Sequence, residues 1–302
     1  MTNNMLLLRN GGKILVNRFG KTTPDYSIIS RFKLAIDMAD ITVTDTDIQT
    51  LIPISGTETV DDCSATTGWT ISGTNSISVN STTYKSDGGT AGALNIIKSD
   101  TSAATLNISK TTTSLNGTSK DFLIWIYIKD ATALAKLKSS GTCFTIRFGS
   151  DSSNYYYKDY TVSSLAVGWN FLKIIITSGF TGTTGSPSIT GLDYTYLFFE
   201  TNNTTDTLAA GDLIFDAIRL ASVDDYYKNI DSLTIDEADN SITVVSKLTI
   251  SEANGFLLNG HATENADTSA LLATKTKYTG TSKGNTDLIK FTTKLQFRNV
   301  GE

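Results

Sequence analysis

The chain is poor in several residue types on which catalytic, disulfide-bonded and membrane-spanning proteins depend. Its 302 residues include one histidine, two cysteines and three prolines, and only 18% are charged. Two cysteines cannot build a disulfide framework. We expect Cys63 and Cys143 to be buried free thiols, with a single bridge as the alternative. No apolar run reaches the length of about 18 residues that a membrane-spanning helix needs.

Charge is also weak and scattered along the chain. The net charge is −5, and no block of lysine or arginine stands out. Phosphate binding and electrostatic attachment to a membrane both need clustered cations. We therefore expect neither nucleic acid nor membrane as a partner. The apolar stretch Met5–Leu8 is too short for a signal peptide, which predicts a protein made in the cytoplasm.

Serine, threonine, asparagine and glycine fill the composition instead. The β-branched side chain of threonine suits a pleated strand, and glycine and asparagine suit tight turns. Hydrophobic residues make up 39% of the chain, and a chain of this length is expected to form about two domains. The composition predicts an all-β protein with enough apolar residues to bury real cores.

The middle of the chain, residues 58–224, carries repeated short apolar segments bounded by turn residues, which predicts a β-sandwich. Phe122–Ile128 is apolar on both faces and is therefore predicted to be an interior strand. Asp130–Leu137 is the predicted helix of this block, with Asp130 as its N-cap. The other clear strand candidates are Thr142–Phe148, Tyr155–Val162, Trp169–Ile176, Tyr194–Phe199 and Leu213–Leu220.

The first block, residues 1–57, has a less regular pattern. Apolar and polar residues alternate at Lys13–Val16 and around Ile28–Ile36, as they do in half-buried strands. Asp45 or Thr46 is predicted to cap a single helical turn.

The last block, residues 225–302, is predicted to be strands joined by turns. Leu233–Ile235 and Ile242–Ile250 are predicted to pair as a hairpin around Asp239 and Asn240, because both residue types tolerate a positive φ.

Short segments at the two ends of the chain carry a resemblance to a known family. They are Arg31–Lys33, Asp45–Gln49, Ile52–Ile54, Ile250–Phe256, Leu271–Thr274 and Thr281–Lys283. Together they resemble a family of structural proteins of tailed-bacteriophage virions. In that family an early Asp-Thr-x-Leu segment and a late Glu-x-Gly-Leu/Phe segment belong to one small β-domain. This chain departs from the pattern at Ile48, where leucine is usual, and at Asn254 before Gly255.

The middle block resembles a different family, the jelly-rolls of carbohydrate-binding modules. The segments that carry this resemblance are Asp61-Asp62, Gly68-Trp69, Gly92–Leu94, Leu165–Asn170 and Leu213–Leu220. Taken together, the two resemblances imply an all-β fold in which a jelly-roll β-sandwich is inserted into a second, smaller β-domain. The expected domains are residues 1–57 plus 225–302, for attachment to a particle, and residues 58–224 for the jelly-roll.

An enzymatic function is not expected. The single histidine, His261, lies in a glycine-rich segment and is predicted to be an exposed loop residue. The chain has no Gly-x-Ser-x-Gly elbow, no His-Glu-x-x-His and no phosphate-binding loop. Paired carboxylates for glycoside cleavage stay open, since they can come from distant strands.

The resemblance of the middle block to carbohydrate-binding modules implies one structural calcium ion near the first and last strands of the jelly-roll. Asp61, Asp62 and Asp216 stand at the matching places, with Asp87 as a fourth contributor. Calcium needs several oxygen ligands from carboxylates and carbonyls. The alternative is that Asp61 and Asp62 cap loops and that Asp216 makes a buried hydrogen bond.

A glycan site is suggested by tyrosines, because aromatic faces stack on the apolar side of sugar rings. Tyr155, Tyr157 and Tyr160 are the candidates. Along a strand, Tyr155 and Tyr157 share one face and Tyr156 takes the other. The alternative is that one face packs the core and the other packs a neighbouring subunit. The tryptophans are predicted to lie in the core: Trp69, Trp125 and Trp169.

Two functional hypotheses follow from these patterns. The first is a non-enzymatic structural component of a phage virion (decoration, collar, tail or fibre-associated), made in the host cytoplasm. It would contact other virion proteins and further copies of itself, with the jelly-roll facing outward. The alternative is a carbohydrate-binding adhesin that recognises host surface glycans. A glycan-degrading enzyme is a third and disfavoured hypothesis.

Overall fold

The computed structural model describes residues 4–36, 40–85, 92–284 and 286–297. The chain folds into two units, one of which interrupts the other in sequence. The terminal unit comprises Met1–Gly56 and Asp224–Glu302, and the inserted unit comprises Thr57–Val223. These limits fall one residue away from the boundaries predicted from the sequence.

Strands make up most of both units. The elements before and within the insertion are β1 (Asn4–Leu7), α1 (Arg9–Gly20), β2 (Ile29–Ala35), β3 (Thr57–Asp61), β4 (Thr70–Ile71), β5 (Ser76–Asn80), β6 (Ala93–Ile97), β7 (Thr105–Leu115), β8 (Lys120–Ile128), α2 (Ala131–Lys136), β9 (Thr142–Asp151), β10 (Asn154–Thr161), β11 (Gly168–Ile175), β12 (Gly182–Thr184), β13 (Leu192–Glu200) and β14 (Leu213–Ser222). Those after it are β15 (Tyr227–Asn229), β16 (Ser232–Asp236), β17 (Ser241–Leu248), β18 (Leu257–Asn265), β19 (Leu272–Ser282) and β20 (Ile289–Gln296). Short 3₁₀ helices occupy Val162–Ser164 and Val223–Tyr226.

The inserted unit is a jelly-roll β-sandwich of two antiparallel sheets. Sheet I has the strand order β12-β10-β9-β13-β7-β4. Sheet II has the order β11-β8-β14-β6-β5, with β3 paired to β14. Alternate residues of both sheets point inward and form one apolar core, in which Phe144 and Phe199 of sheet I meet Ile124 and Ile126 of sheet II. The predicted fold class is therefore confirmed.

Two local predictions for this unit are also confirmed. Strand β8 lies between β11 and β14, so its two apolar faces belong to an interior strand. Helix α2 begins after Asp130, whose carboxylate accepts a hydrogen bond of 2.8 Å from the backbone N–H of Ala133. This cap satisfies one of the N–H groups that the first helical turn leaves without a partner.

The terminal unit contains two sheets of its own. One has the order β1-β19-β18-β2-β15 and the other has β16-β17-β20. The rings of Phe32 on β2 and Phe291 on β20 pack with centroids 4.9 Å apart, which places an aromatic core between the two sheets. The predicted hairpin is confirmed as β16 and β17, with Asn240 at φ 45° in its turn.

Segments from both ends of the chain meet inside this unit. The backbone N–H of Ala253 donates to the carbonyl of Ile54 at 2.7 Å. The ammonium of Lys275 lies 2.8 Å from the carboxylate of Asp45, and Ile48 packs in the same apolar cluster as Leu272. The residues that carry the virion-protein resemblance therefore belong to one folded unit.

Two predictions for the first block are wrong. The alternation at Lys13–Val16 lies in helix α1, whose Ile14 is buried while Val16 is 73% exposed. The helix packs closely on β19, since a Cβ on Gly11 would lie 2.5 Å from the carbonyl oxygen of Ala273. The helical turn predicted after Asp45 is not formed, since residues 45–52 contain no helix. Asp45 instead closes a tight turn that precedes it, in which its carboxylate accepts hydrogen bonds from the N–H and hydroxyl of Thr42.

Candidate functional site: the outer face of sheet I

The outer face of sheet I carries a row of side chains that crosses five strands. Antiparallel pairing sets Tyr157 on β10 opposite Arg147 on β9, and Arg147 opposite Tyr196 on β13. The row continues to Ser109 on β7 and Thr70 on β4. Directly opposite residues of paired strands point to the same face. With strands about 4.8 Å apart, the row spans about 19 Å.

Parallel rows lie on either side of this one. They consist of Tyr155, Gly149, Tyr194 and Thr111 on one side, and of Asp159, Thr145, Phe198 and Asn107 on the other. Four tyrosines and one arginine, all half-buried, form the middle of the surface: Tyr155, Tyr157, Tyr194, Tyr196 and Arg147. We call this surface the tyrosine face.

Arg147 lies at the centre of the tyrosine face. The carbon of its guanidinium is 4.8 Å from the ring centroid of Tyr155 and 4.5 Å from that of Tyr196. The rings also contact one another. Tyr155 and Tyr157 pack edge to face with ring centroids 6.4 Å apart, and Tyr194 stacks on Tyr196 with ring centroids 6.3 Å apart. Such contacts between aromatic rings and a cation hold the side chains in defined orientations.

The phenol groups of Tyr194 and Tyr196 are neutral at physiological pH. Burial raises the pKa of Tyr194 and of Tyr196, and the positive charge of Arg147 only partly offsets that effect. The hydroxyl of Tyr196 donates to the side-chain carbonyl of Asn107, which orients this ring further. The face therefore offers apolar ring surface together with hydroxyl and amide groups.

The sequence-predicted tyrosines divide between the two sides of β10. Tyr155 and Tyr157 lie on the outer face, whereas Tyr156 and Tyr160 pack against the core. The ring of Tyr160 stacks on Phe144 with centroids 5.6 Å apart, and burial raises its pKa. Tyr160 is therefore not brought together with the other two candidates.

Sequence reasoning missed Arg147, Tyr194 and Tyr196. A signal for them was present in the period-two alternation of β13, where Tyr194 and Tyr196 alternate with the buried Thr195 and Leu197. The pattern of β9 likewise sets Arg147 between two buried residues. What the pattern does not contain is the pairing of β9 with β10 and β13, which brings these side chains together.

The three carboxylates predicted to bind calcium have other partners. Asp61 accepts from the backbone N–H of Cys63 at 2.8 Å and forms an ion pair with Lys110. Asp62 accepts from the N–H and hydroxyl of Ser64, at 3.1 and 2.9 Å.

Asp216 accepts from the backbone N–H of Lys85 at 2.5 Å. Asp61 and Asp216 both lie near the thiol of Cys63, where they add to burial in raising its pKa. Asp87 lies outside the described residues.

A calcium ion needs six to eight oxygen ligands directed at one point. In the described part of the chain, no three histidine, cysteine, aspartate or glutamate side chains come together as a metal site. The predicted calcium ligands are therefore not gathered into one site among the described residues, and calcium binding stays a prediction. Cys63 and Cys143 are both buried and free, as predicted.

A second aromatic cluster lies on the outer face of sheet II. The ring centroids of Trp125 and Phe171 lie 4.8 Å apart, and those of Tyr127 and Trp169 lie 5.2 Å apart. The prediction that the tryptophans lie in the core is confirmed for Trp69 and Trp125, which are buried, and is wrong for Trp169, which is half-buried. The ammonium of Lys85 lies 4.4 Å from the ring centroid of Trp125, which is only 6% exposed. The other three rings of this cluster, those of Tyr127, Trp169 and Phe171, are half-buried.

The prediction that His261 is an exposed loop residue is wrong. His261 lies within β18, is 5% exposed, and packs against Phe32 and Phe291. Its Nε2 is 3.2 Å from the hydroxyl oxygen of Thr293, and burial lowers the pKa of the imidazole to about 4. Neither helix that the structure describes has the length and apolar character to span a bilayer.

No protein-family model matches the chain, and no curated protein matches it. Several solved structures are similar in fold. One is a family 11 carbohydrate-binding module from Clostridium thermocellum in complex with a β-1,3-1,4-mixed-linked tetrasaccharide, with TM-score 0.36 and 11% identity, covering 56% of this chain and 96% of the module.

An exo-β-agarase has TM-score 0.38 and 12% identity, covering 56% of this chain and 25% of the agarase. An arabinose-bound α-L-arabinofuranosidase has TM-score 0.35 and 8% identity, covering 57% of this chain and 27% of that enzyme. At these identities and TM-scores the similarity does not indicate a ligand.

Proposed function

We propose that the inserted unit is a non-catalytic carbohydrate-binding module whose ligand lies on the tyrosine face. The observation that carries this proposal is the set of four half-buried tyrosine rings on neighbouring strands of sheet I. Sugar rings stack their apolar sides on such aromatic faces. The hydroxyl groups of Ser109 and Thr70 extend the same row and supply polar contacts to orient a sugar.

The face is pre-organised, which lowers the entropic cost of binding. Its side chains stand on paired strands and not on loops, so the backbone beneath them is held by the hydrogen bonds of sheet I. Contacts among the rings, Arg147 and Asn107 restrict the rotamers before any ligand arrives. Tyrosine also has few rotatable bonds to immobilise compared with lysine or glutamine.

The proposal is tested with a glycan array probed with the full chain, followed by calorimetry on the glycans that bind. Tyr157→Ala and Tyr196→Ala should each weaken binding by about 10- to 30-fold, the loss of an aromatic anchor worth roughly 1.4–2 kcal/mol. Tyr84→Ala is the matched control, because Tyr84 is an exposed tyrosine of the same unit outside the face.

Circular dichroism of each variant verifies that the fold is retained. A protein that binds no glycan, or one whose binding survives both substitutions on the face, contradicts the proposal. Because the module is proposed to be non-catalytic, the glycans that bind should release no new reducing ends during prolonged incubation.

The role as a virion component stays a prediction, and it rests on the resemblance of residues 1–57 and 225–302. The solved structures named above, a carbohydrate-binding module and glycosidases, give no support to the virion role. Gold-labelled antibody against the protein should decorate intact particles at a fixed position in electron micrographs. Protein found only free in the lysate would remove the virion hypothesis and leave the glycan-binding proposal untouched.

A further inference from the structure

We infer that the tyrosine face binds an acidic glycan and that Arg147 contacts a carboxylate of that glycan. The inference rests on the proposed function, because it assigns a charge to the ligand of the same face. Its starting point is that a half-buried cation stands at the centre of the face and has only aromatic rings as side-chain partners.

Arg147 has no anion of its own. In the described ranges of the chain, no carboxylate lies within 4.0 Å of its guanidinium, and no side-chain hydrogen bond uses it. Charged side chains that are withdrawn from water are normally paired. Lys110 and Lys138 of the same unit illustrate this, since each forms an ion pair with a nearby carboxylate.

Among the described residues, Arg147 contacts aromatic rings and donates no side-chain hydrogen bond, so its N–H groups are available to a ligand. Rings of Tyr155 and Tyr196 lie 4.8 and 4.5 Å from the guanidinium carbon. A guanidinium stacked on aromatic rings still directs its N–H groups outward in the plane of the group. Two parallel N–H groups of this fork match the two oxygens of a carboxylate, which gives a bidentate, charge-assisted contact.

The charges around Arg147 favour an anion. Across the three described rows of the face, Arg147 is the only cation and Asp159 is the only anion. Asp159 accepts a hydrogen bond of 2.7 Å from the hydroxyl of Thr145, in the row beyond Tyr157. A ligand that stacks on Tyr157 and Tyr196 therefore meets one unpaired positive charge between its two aromatic contacts.

The test uses pairs of probes that differ only in charge. The acidic probes are oligogalacturonate, oligoalginate, a sialylated oligosaccharide and a sulfated carrageenan oligosaccharide. Each is compared with its carboxyl-reduced or desulfated counterpart by calorimetry on the full chain, at low and high salt. Salt screens an ionic contact and leaves stacking largely unchanged.

Arg147→Met should weaken binding of the carboxylated probe at least about tenfold more than binding of the neutral counterpart, because both probes lose the ordering of the rings by Arg147 and only the carboxylated probe also loses an ionic contact. The affinity of Arg147→Lys for the carboxylated probe should lie between that of the wild type and that of Arg147→Met, because lysine keeps the charge and loses the planar fork. Lys173→Met is the matched control, since it removes an exposed cation from sheet II. Tyr196→Ala should weaken both members of a pair.

The outcomes separate this inference from the proposed function. Carboxylated probes that bind more tightly than their neutral counterparts, and lose that advantage in Arg147→Met, bear it out. Equal binding of both members of each pair, in the wild type and in Arg147→Met alike, overturns the inference and leaves the carbohydrate-binding proposal standing. Binding confined to the sulfated probe overturns the carboxylate assignment. Binding of no probe and no array glycan removes both.

Discussion

The buried histidine of the terminal unit should make that unit sensitive to mild acid. His261 is surrounded by Phe32, Tyr278, Phe291 and Thr293, none of which is an acid or a base at neutral pH. Burial lowers its pKa to about 4, against 6.5 for the unfolded chain. The folded state therefore excludes a proton that the unfolded state accepts. The associated stability is fully present above about pH 6.5 and is lost as the pH falls toward about 4.

The size of the effect follows from the two pKa values. A difference of about 2.5 pKa units corresponds to about 3 kcal/mol, since each unit is worth about 1.4 kcal/mol. Linkage gives a loss of about 2 kcal/mol on moving from about pH 7.5 to about pH 5. Hydrogen exchange measured by mass spectrometry should show this loss in peptides from β18, with peptides from β9 of the inserted unit as the internal reference.

Two variants isolate the imidazole from other titrating groups. His261→Phe should abolish the excess acid sensitivity of β18, because phenylalanine suits the cluster of Phe32 and Phe291 and carries no proton. Thr293→Val removes the hydrogen-bond partner and keeps the imidazole, so it should retain the pH dependence. An identical pH dependence in the wild type and in His261→Phe would refute the reasoning.

Three further predictions concern the inserted unit. Burial raises the pKa of Asp121 to about 6, so its ionisation opposes folding at neutral pH, and Asp121→Asn should stabilise the unit by up to about 3 kcal/mol. Urea denaturation followed by tryptophan fluorescence reports this change, and a stability gain that does not shrink from about pH 7 to about pH 4 would contradict it. Asp130→Ala should cost about 1 kcal/mol in the same assay through loss of the N-cap of α2, and no loss would show that the cap is dispensable. Burial raises the pKa of the Cys143 thiol to about 11 and that of Cys63 as well, so Ellman's reagent should react with neither until the protein unfolds.

The local elements of the inserted unit were predictable because their signals are local. Alternation with period two marked strands such as Tyr194–Phe199, and continuous apolar character marked Phe122–Ile128 as interior. The N-cap residue Asp130 predicted the start of α2. Helix α1 was mistaken for a strand because Lys13–Val16 alternates and the two glycines of its first turn, Gly11 and Gly12, are poor helix formers. Its burial against β19 outweighs their low propensity.

The candidate site was only half predictable. The alternation of β10 fixes that Tyr155 and Tyr157 share a face, but it does not state which side of the strand meets the core. A tyrosine run fits both sides, because its rings are apolar and its hydroxyls tolerate water. The same alternation puts Tyr160, three residues after Tyr157, on the opposite face of β10, where its ring stacks on Phe144.

Sequence by itself determined the class of fold, the positions of most strands and the presence of an insertion. The class of fold and the strands depend on periodicity, turn residues and composition, which a chain carries along its length, whereas the insertion was implied by the two family resemblances. Only the tertiary structure decided that Arg147 stands between Tyr155 and Tyr196, and that His261 is buried beside Phe291. Arg147 reaches its tyrosines through the pairing of β9 with β10 and β13, and His261 reaches Phe291 through the packing of two different sheets. Neither arrangement is specified by the local pattern of one strand.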